Sequence, residues 1–163
     1  MSSVNGVEFK INKKVIVQQS GISDFISGGT NTILSSVYVP ANTFTVGDIL
    51  QTDVMIERNP TTGTTTVITL YYNTTNTLSG AVSMGVYNAA NLRYSPLYRR
   101  FAIRSSTNNT FGAATSSIPS DIATGIQSIP ASLSINWTTN LYIILAVTSL
   151  GSNVRALSLK LSN

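Results

Sequence analysis

Residues 50–72 read LQTDVMIERNPTTGTTTVITLYY, and the alternation in this stretch decides the fold class. Leu50, Thr52, Val54 and Ile56 point one way and Gln51, Asp53, Met55 and Glu57 the other, the period of a half-buried antiparallel strand. Asn59-Pro60-Thr61-Thr62-Gly63 follows, with Pro and Gly where a tight turn constrains φ. The segment therefore reads as a hairpin-type turn, with Thr66, Ile68, Leu70 and Tyr72 returning as the partner strand.

The same period runs outward in both directions. Val7, Phe9 and Ile11 alternate with Glu8 and Lys10, and Val15 and Val17 continue beyond Lys13-Lys14. Gly21 to Thr30 is a break, and Ile33 to Val39 is the next strand, stopped by Pro40. Downstream, Val82, Met84 and Val86 form a short strand, and Leu97, Arg99, Phe101 and Ile103 alternate after it. Asn108 to Pro130 is irregular; a loop of that length is functional or holds a short helix, for which Ser120-Asp121-Ile122-Ala123 is a natural start. Leu141 to Val147 is almost wholly apolar, as expected of a strand covered on both faces. Arg155 to Leu161 alternates again, with Leu157, Leu159 and Leu161 inward. Eight or nine short strands without a helix-period segment predict a single all-β domain, a sandwich or a barrel.

Composition agrees. Charged residues are 10% of the 163-residue chain and hydrophobic residues 42%. Ser, Thr and Asn make up roughly a third, and these residues disfavour long helices because they restrict χ1 or compete for backbone hydrogen bonds. The net charge of +4 is mild basicity spread over few charges. No apolar run is long enough to span a bilayer as a helix. Met1 to Gln19 lacks the continuous apolar region of a secretory signal, so no membrane partner is expected and the chain is expected to be either cytoplasmic or released by lysis.

The chain has no Cys and no His, which removes the best nucleophile, the usual acid–base group near neutral pH, and metal sites built on either. Of the six carboxylates, Asp53 and Glu57 share a strand face, but it alternates away from the Leu50, Val54 and Ile56 side, so both read as solvent-facing charges. No stretch clusters enough acids for Ca²⁺. Catalytic residues, cofactors and metals are accordingly not expected. Arg93, Arg99, Arg100 and Arg104, with Tyr94 and Tyr98 among them, form the strongest candidate binding cluster. Arg99 and Arg100 lie on opposite strand faces, so the cluster is no continuous phosphate-reading stripe and nucleic acid is not expected; contacts between subunits, or pairing with Asp53 and Glu57, suit it better.

Three stretches carry a resemblance. Ser36-Val37-Tyr38-Val39-Pro40-Ala41-Asn42-Thr43-Phe44 followed by Val46-Gly47-Asp48, then Tyr72-Asn73-Thr74 with Leu78-Ser79-Gly80-Ala81, and Ser134-Ile135-Asn136-Trp137-Thr138-Thr139-Asn140-Leu141-Tyr142-Ile143-Ile144 resemble the turn and strand phrasing of small jelly-roll domains in bacteriophage virions. The resemblance covers roughly Asn31 to Leu161. It implies an antiparallel jelly-roll sandwich, often a tight homotrimer like tumour-necrosis-factor-like bundles, in capsid decoration proteins, head fibres or tail fibres. It implies no cofactor and no catalytic residue. Residues 30–163 would form the jelly roll, and residues 1–29 an arm or first strand that could anchor to the shell.

The expected function is that of a non-enzymatic virion subunit whose partners are two further copies and a major capsid or tail protein. The rival reading is a receptor- or glycan-binding tail-fibre tip, with a site in Asn108–Pro130 and the tyrosines and a host-surface glycan as partner. Since Leu141–Val147 is apolar on both faces and no helix is at hand to cover the second, a neighbouring subunit is the expected cover. Candidate subunit-interface residues are Leu141, Ile143 and Leu145, with Tyr94, Tyr98 and Arg99 from the basic cluster.

Overall fold

The computed structural model describes residues 3–4, 7–8, 16–19, 21–27, 31–59, 66–89, 93–107, 110–112, 132–149 and 153–163, and among these there is no helix. The strands are β1 (Ser3–Val4), β2 (Val7–Glu8), β3 (Ile16–Gln18), β4 (Thr32–Val39), β5 (Ile49–Asn59), β6 (Thr66–Asn73), β7 (Val82–Ala89), β8 (Tyr94–Ile103), β9 (Thr110–Gly112), β10 (Leu141–Ser149) and β11 (Asn153–Ser162). They form a four-stranded sheet, β4-β10-β6-β7, and a five-stranded sheet, β3-β11-β5-β8-β9, with β1 and β2 paired separately. Apart from these short additions the antiparallel pairs are nested: β3 with β11, β4 with β10, β5 with β8 and β6 with β7. A long hairpin of four strand pairs rolled up so that alternate pairs fall in opposite sheets is a jelly roll.

That winding overturns the expected hairpin between residues 50–57 and 66–72. β5 pairs with β11 and β8, while β6 pairs with β10 and β7 in the other sheet. The alternation was correct, with Leu50, Thr52, Val54 and Ile56 inward on β5 and Thr66, Ile68 and Leu70 buried on β6. Sequence adjacency was the misleading cue, because the connection crosses from one sheet to the other.

The core lies between the sheets, where Leu50, Val54, Ile56, Leu97 and Phe101 of one meet Ile68, Leu70, Ile143 and Leu145 of the other, all fully buried. One end is closed by the stretches that carried the resemblance. Asn42, at φ 61, turns the chain after Pro40. The Asn42 amide donates to the Trp137 carbonyl at 2.7 Å. Phe44 and Trp137, both buried, meet edge to face with ring centroids 5.6 Å apart. Gly47, at φ 96, completes the next turn, where Asp48 Oδ2 accepts from the Thr45 amide at 2.7 Å.

Bulges shift two expected faces. The β11–β5 register slips between Ala156 and Ser158, so Ala156, Leu159 and Leu161 reach the core and Leu157 is left half-buried. Similarly, β7 slips against β6 at Leu70/Tyr71. Met84 and Tyr87 are buried there, Val86 half-buried and Val82 exposed, instead of Val82, Met84 and Val86 sharing one face. At the N-terminal side, β3 is the first strand of the five-stranded sheet. Beyond it Gln19, Ser23 and Ile26 continue hydrogen bonding to Leu159, Ala156 and Val154 along the edge of β11. Gln19, Ser23 and Ile26 thus follow the edge of β11 beyond β3; Phe9, Ile11 and the helix start at Ser120–Ala123 lie outside the described residues.

Core substitutions separate the two kinds of β11 and β10 position. Leu145→Ala should lower the unfolding free energy by roughly 2–5 kcal/mol through cavity formation. Leu157→Ala should cost about 1 kcal/mol or less, the range for positions away from the packed core. Urea denaturation of both variants checks the assignment; equal losses would place Leu157 in the core after all.

Candidate functional site

The two sheets divide the chain's charge unequally. The strands of the four-stranded sheet, TILSSVYV, TVITLYYN, VSMGVYNA and LYIILAVTS, contain no Asp, Glu, Lys or Arg. All charged residues of the long strands are in β5, β8 and β11. The sandwich therefore presents one neutral and one charged outer face.

On the neutral face, β10 turns Leu141, Ile143, Leu145 and Val147 to the core and Tyr142, Ile144, Ala146 and Thr148 outward. Ile144 lies between Ser36 and Tyr71 in register, and Ala146 between Ile33 and Thr69. Ile144 and Ala146 are nevertheless fully buried within the single chain. The cover expected from a neighbouring subunit is thus already supplied at these two positions, and the argument for a second copy cannot rest on them. Among the side chains this sheet leaves accessible are Tyr38, 45% exposed, and Tyr71 and Tyr142, half-buried, together with the half-buried Ile33, Val67, Val86 and Thr148. Tyr38 and Tyr142 rest against each other with centroids 5.3 Å apart, and the Thr69 and Thr148 hydroxyls share a 3.1 Å hydrogen bond.

The charged face is organised around Glu57. Expected to be solvent-facing, Glu57 does project from the outer side of β5, but it is only 4% exposed. Arg155, its neighbour across the ladder, reaches Oε2 at 2.6 Å, and Arg93 reaches Oε1 at 3.2 Å. The face was legible from alternation, whereas the two arginines that cover the carboxylate come from distant segments. The Arg155 hydrogen bond is the largest influence holding the Glu57 carboxyl below its usual value, with Arg93 adding to it and burial opposing both. Arg93 is 60% exposed and Arg155 31%, so the Arg155 arm is the less screened. Arg155 also stacks on Phe25 at 4.4 Å, which ties the edge segment to this bridge.

A carboxylate held in this way keeps its charge and is a poor proton carrier at neutral pH. Asp53, which is exposed as expected, stands four residues along the strand, about 13 Å away at the rise of an extended chain. Both glycosidase geometries need a carboxylate spacing below about 10 Å, so Asp53 and Glu57 fit neither.

The remaining sequence candidates separate by face. Tyr94, 50% exposed, and Tyr98, half-buried, lie on the charged outer face. Arg100 is exposed beside them, with its Nε donating to the Tyr98 hydroxyl at 2.6 Å. Arg99 is on the opposite side of β8, 2% exposed, with its guanidinium 5.0 Å from the centre of the buried Tyr87 ring. Leu141, Ile143 and Leu145 are core residues. Leu141, Ile143, Leu145 and Arg99 thus face the interior, while Tyr94 and Tyr98 face outward. Two shallow hollows, of about 330 and about 240 Å³, flank residues 19–23 and are lined by Gln19, Gly21 and Ile22 in common. No protein-family model, no curated protein and no solved structure matches the chain.

The Glu57 bridge gives stability a defined acid limb. A carboxylate whose folded value lies below its ordinary 4.5 stabilises fully above that value. The contribution is lost as the pH falls through the lower folded value. Glu57→Gln should reduce the melting temperature at pH 7 by several degrees and flatten its fall between neutral and strongly acidic pH. Melting curves for both proteins across that range check this; parallel curves would mean that the bridge adds no net stability.

Proposed function

We propose that the protein is a non-enzymatic structural subunit of a bacteriophage particle, a capsid-decoration or head-fibre component that works as a homotrimer. The observation that carries the reading is the charge-free outer face of the four-stranded sheet. Subunit interfaces are depleted of charge at their centre and enriched in Tyr, and in a threefold ring a neutral face can pack against the adjoining surface of the next copy without desolvating a charge of its own. The resemblance of residues 36–48 and 134–144 to virion jelly rolls supports the particle context. These stretches form the closed end of the sandwich around Phe44 and Trp137.

Dimensions agree with such an assembly. Four strands about 4.8 Å apart and eight residues long at about 3.3 Å each span roughly 500 Å². A standard interface needs about 800 Å² per partner, so the face supplies more than half and adjoining loops would complete it. Burying the rest of a half-exposed tyrosine contributes up to roughly 2 kcal/mol per ring. Tyr38, Tyr71 and Tyr142 are therefore the side chains on which association would depend.

Light scattering should give a particle mass near three times the 17.4 kDa chain. Tyr38→Glu, which places a charge at the exposed end of the face, should shift the protein to monomer while its circular dichroism stays β-dominated. A wild-type monomer at micromolar concentration, or a trimer unaffected by Tyr38→Glu and by Tyr142→Glu, would refute the assignment of this face.

A further inference from the structure

The charged outer face remains after the neutral one is assigned to copies of the chain, and it is built differently. Successive cross-strand rows run Arg155–Glu57–Tyr94, then Ser158–Met55–Pro96, then Lys160–Asp53–Tyr98, then Ser162–Gln51–Arg100. Basic groups sit toward both ends: Arg93 and Arg155 at the Glu57 row, and Arg100 and Lys160 at the other. The second row sets apolar Met55, half-buried, and Pro96, exposed, beside the half-buried Ser158.

The four cations Arg93, Arg100, Arg155 and Lys160 face the two acids Asp53 and Glu57, leaving an excess of positive charge. Glu57 has its oxygens committed to two arginines, so Arg93, 60% exposed, retains outward-facing donors. Arg93 and Arg100 are further ordered by contact with tyrosine rings, at 5.5 Å from Tyr94 and 5.3 Å from Tyr98, which reduces the entropy lost on binding.

We propose that this face docks an acidic protein surface, with carboxylates meeting Arg93 at one end and Arg100 at the other across a dehydrated Met55–Pro96 centre. The two cationic ends are six residues apart along β5, about 20 Å, which sets the spacing of the acidic groups on the partner. A protein fits better than a nucleic acid. The exposed Asp53 between the ends would oppose a phosphate backbone, and a phosphate-tracking site needs a continuous basic groove with bases stacked along it. Tyr, Met and Arg together are the side chains enriched at protein interfaces. The proposal uses the opposite sheet from the subunit contact, so each can fail without the other.

Titration of the full-length chain with poly-L-glutamate, followed by backbone amide shifts, tests it. Shifts should concentrate in residues 93–100 and 155–160, and raising the salt should weaken binding. Arg100→Glu should weaken binding at least tenfold without changing the oligomeric mass, because Arg100 does not contact Glu57. Arg93→Gln, a milder change beside Glu57, should weaken it severalfold. Absence of binding at low salt, shifts confined to other regions, Arg100→Glu affinity equal to wild type, or tighter binding of single-stranded DNA than of polyglutamate would each overturn the proposal.

Discussion

Nested strand pairing puts β10 at the centre of the molecule, hydrogen-bonded on both edges to β4 and β6, with side chains in the core and on the outer face. Its outward Ile144 and Ala146 are buried as fully as its core side chains, so a charge at either would be desolvated, and Leu141–Ser149 holds none. Their partners in register, Ser36 and Tyr71 beside Ile144 and Ile33 and Thr69 beside Ala146, are uncharged too. The strands of this sheet are neutral throughout, and every charge of the long strands lies in the other one. A fully buried central strand and a charge-free sheet thus go together on one side of the sandwich.

On the opposite sheet the same scarcity of charge makes each ion pair structural. Glu57 draws together β5, β11 and the segment before β8, and through Arg155 and Phe25 it also reaches the edge segment. That segment covers the edge of β11, which would otherwise present unpaired backbone groups. Fastening the first strand and shaping the cationic end of the face are therefore one arrangement.

Alternation carried much of this into the sequence. The inward side of β5 and the two-sided burial of Leu141–Val147 could be read directly, because a two-residue period assigns each side chain to a face. Period says nothing about which strands pair, so Asn59–Gly63 reads as a hairpin although β5 and β6 lie in different sheets. Nor does it register a bulge, and Leu157 was assigned inward for that reason. Glu57 and Arg99 show the further gap: alternation places Glu57 on an outer face and Arg99 opposite Arg100, but their burial depends on Arg155, Arg93 and Tyr87, which no local pattern connects to them. Leu141, Ile143 and Leu145, expected at a subunit interface, lie on the core side of β10, because a strand apolar on both faces gives no sign of which side is inward.

The absence of cysteine allows a direct measurement of which sheet faces another copy, since one introduced thiol carries one spin label. Labels at Tyr38→Cys, on the neutral face, and at Pro96→Cys, on the charged face, should be compared by double electron–electron resonance in the assembled protein. If the charge-free sheet is the copy-to-copy surface, the label at position 38 gives a short, narrow interspin distance and that at position 96 a much longer one. The reverse order, or no intermolecular distance from either position, would contradict the account.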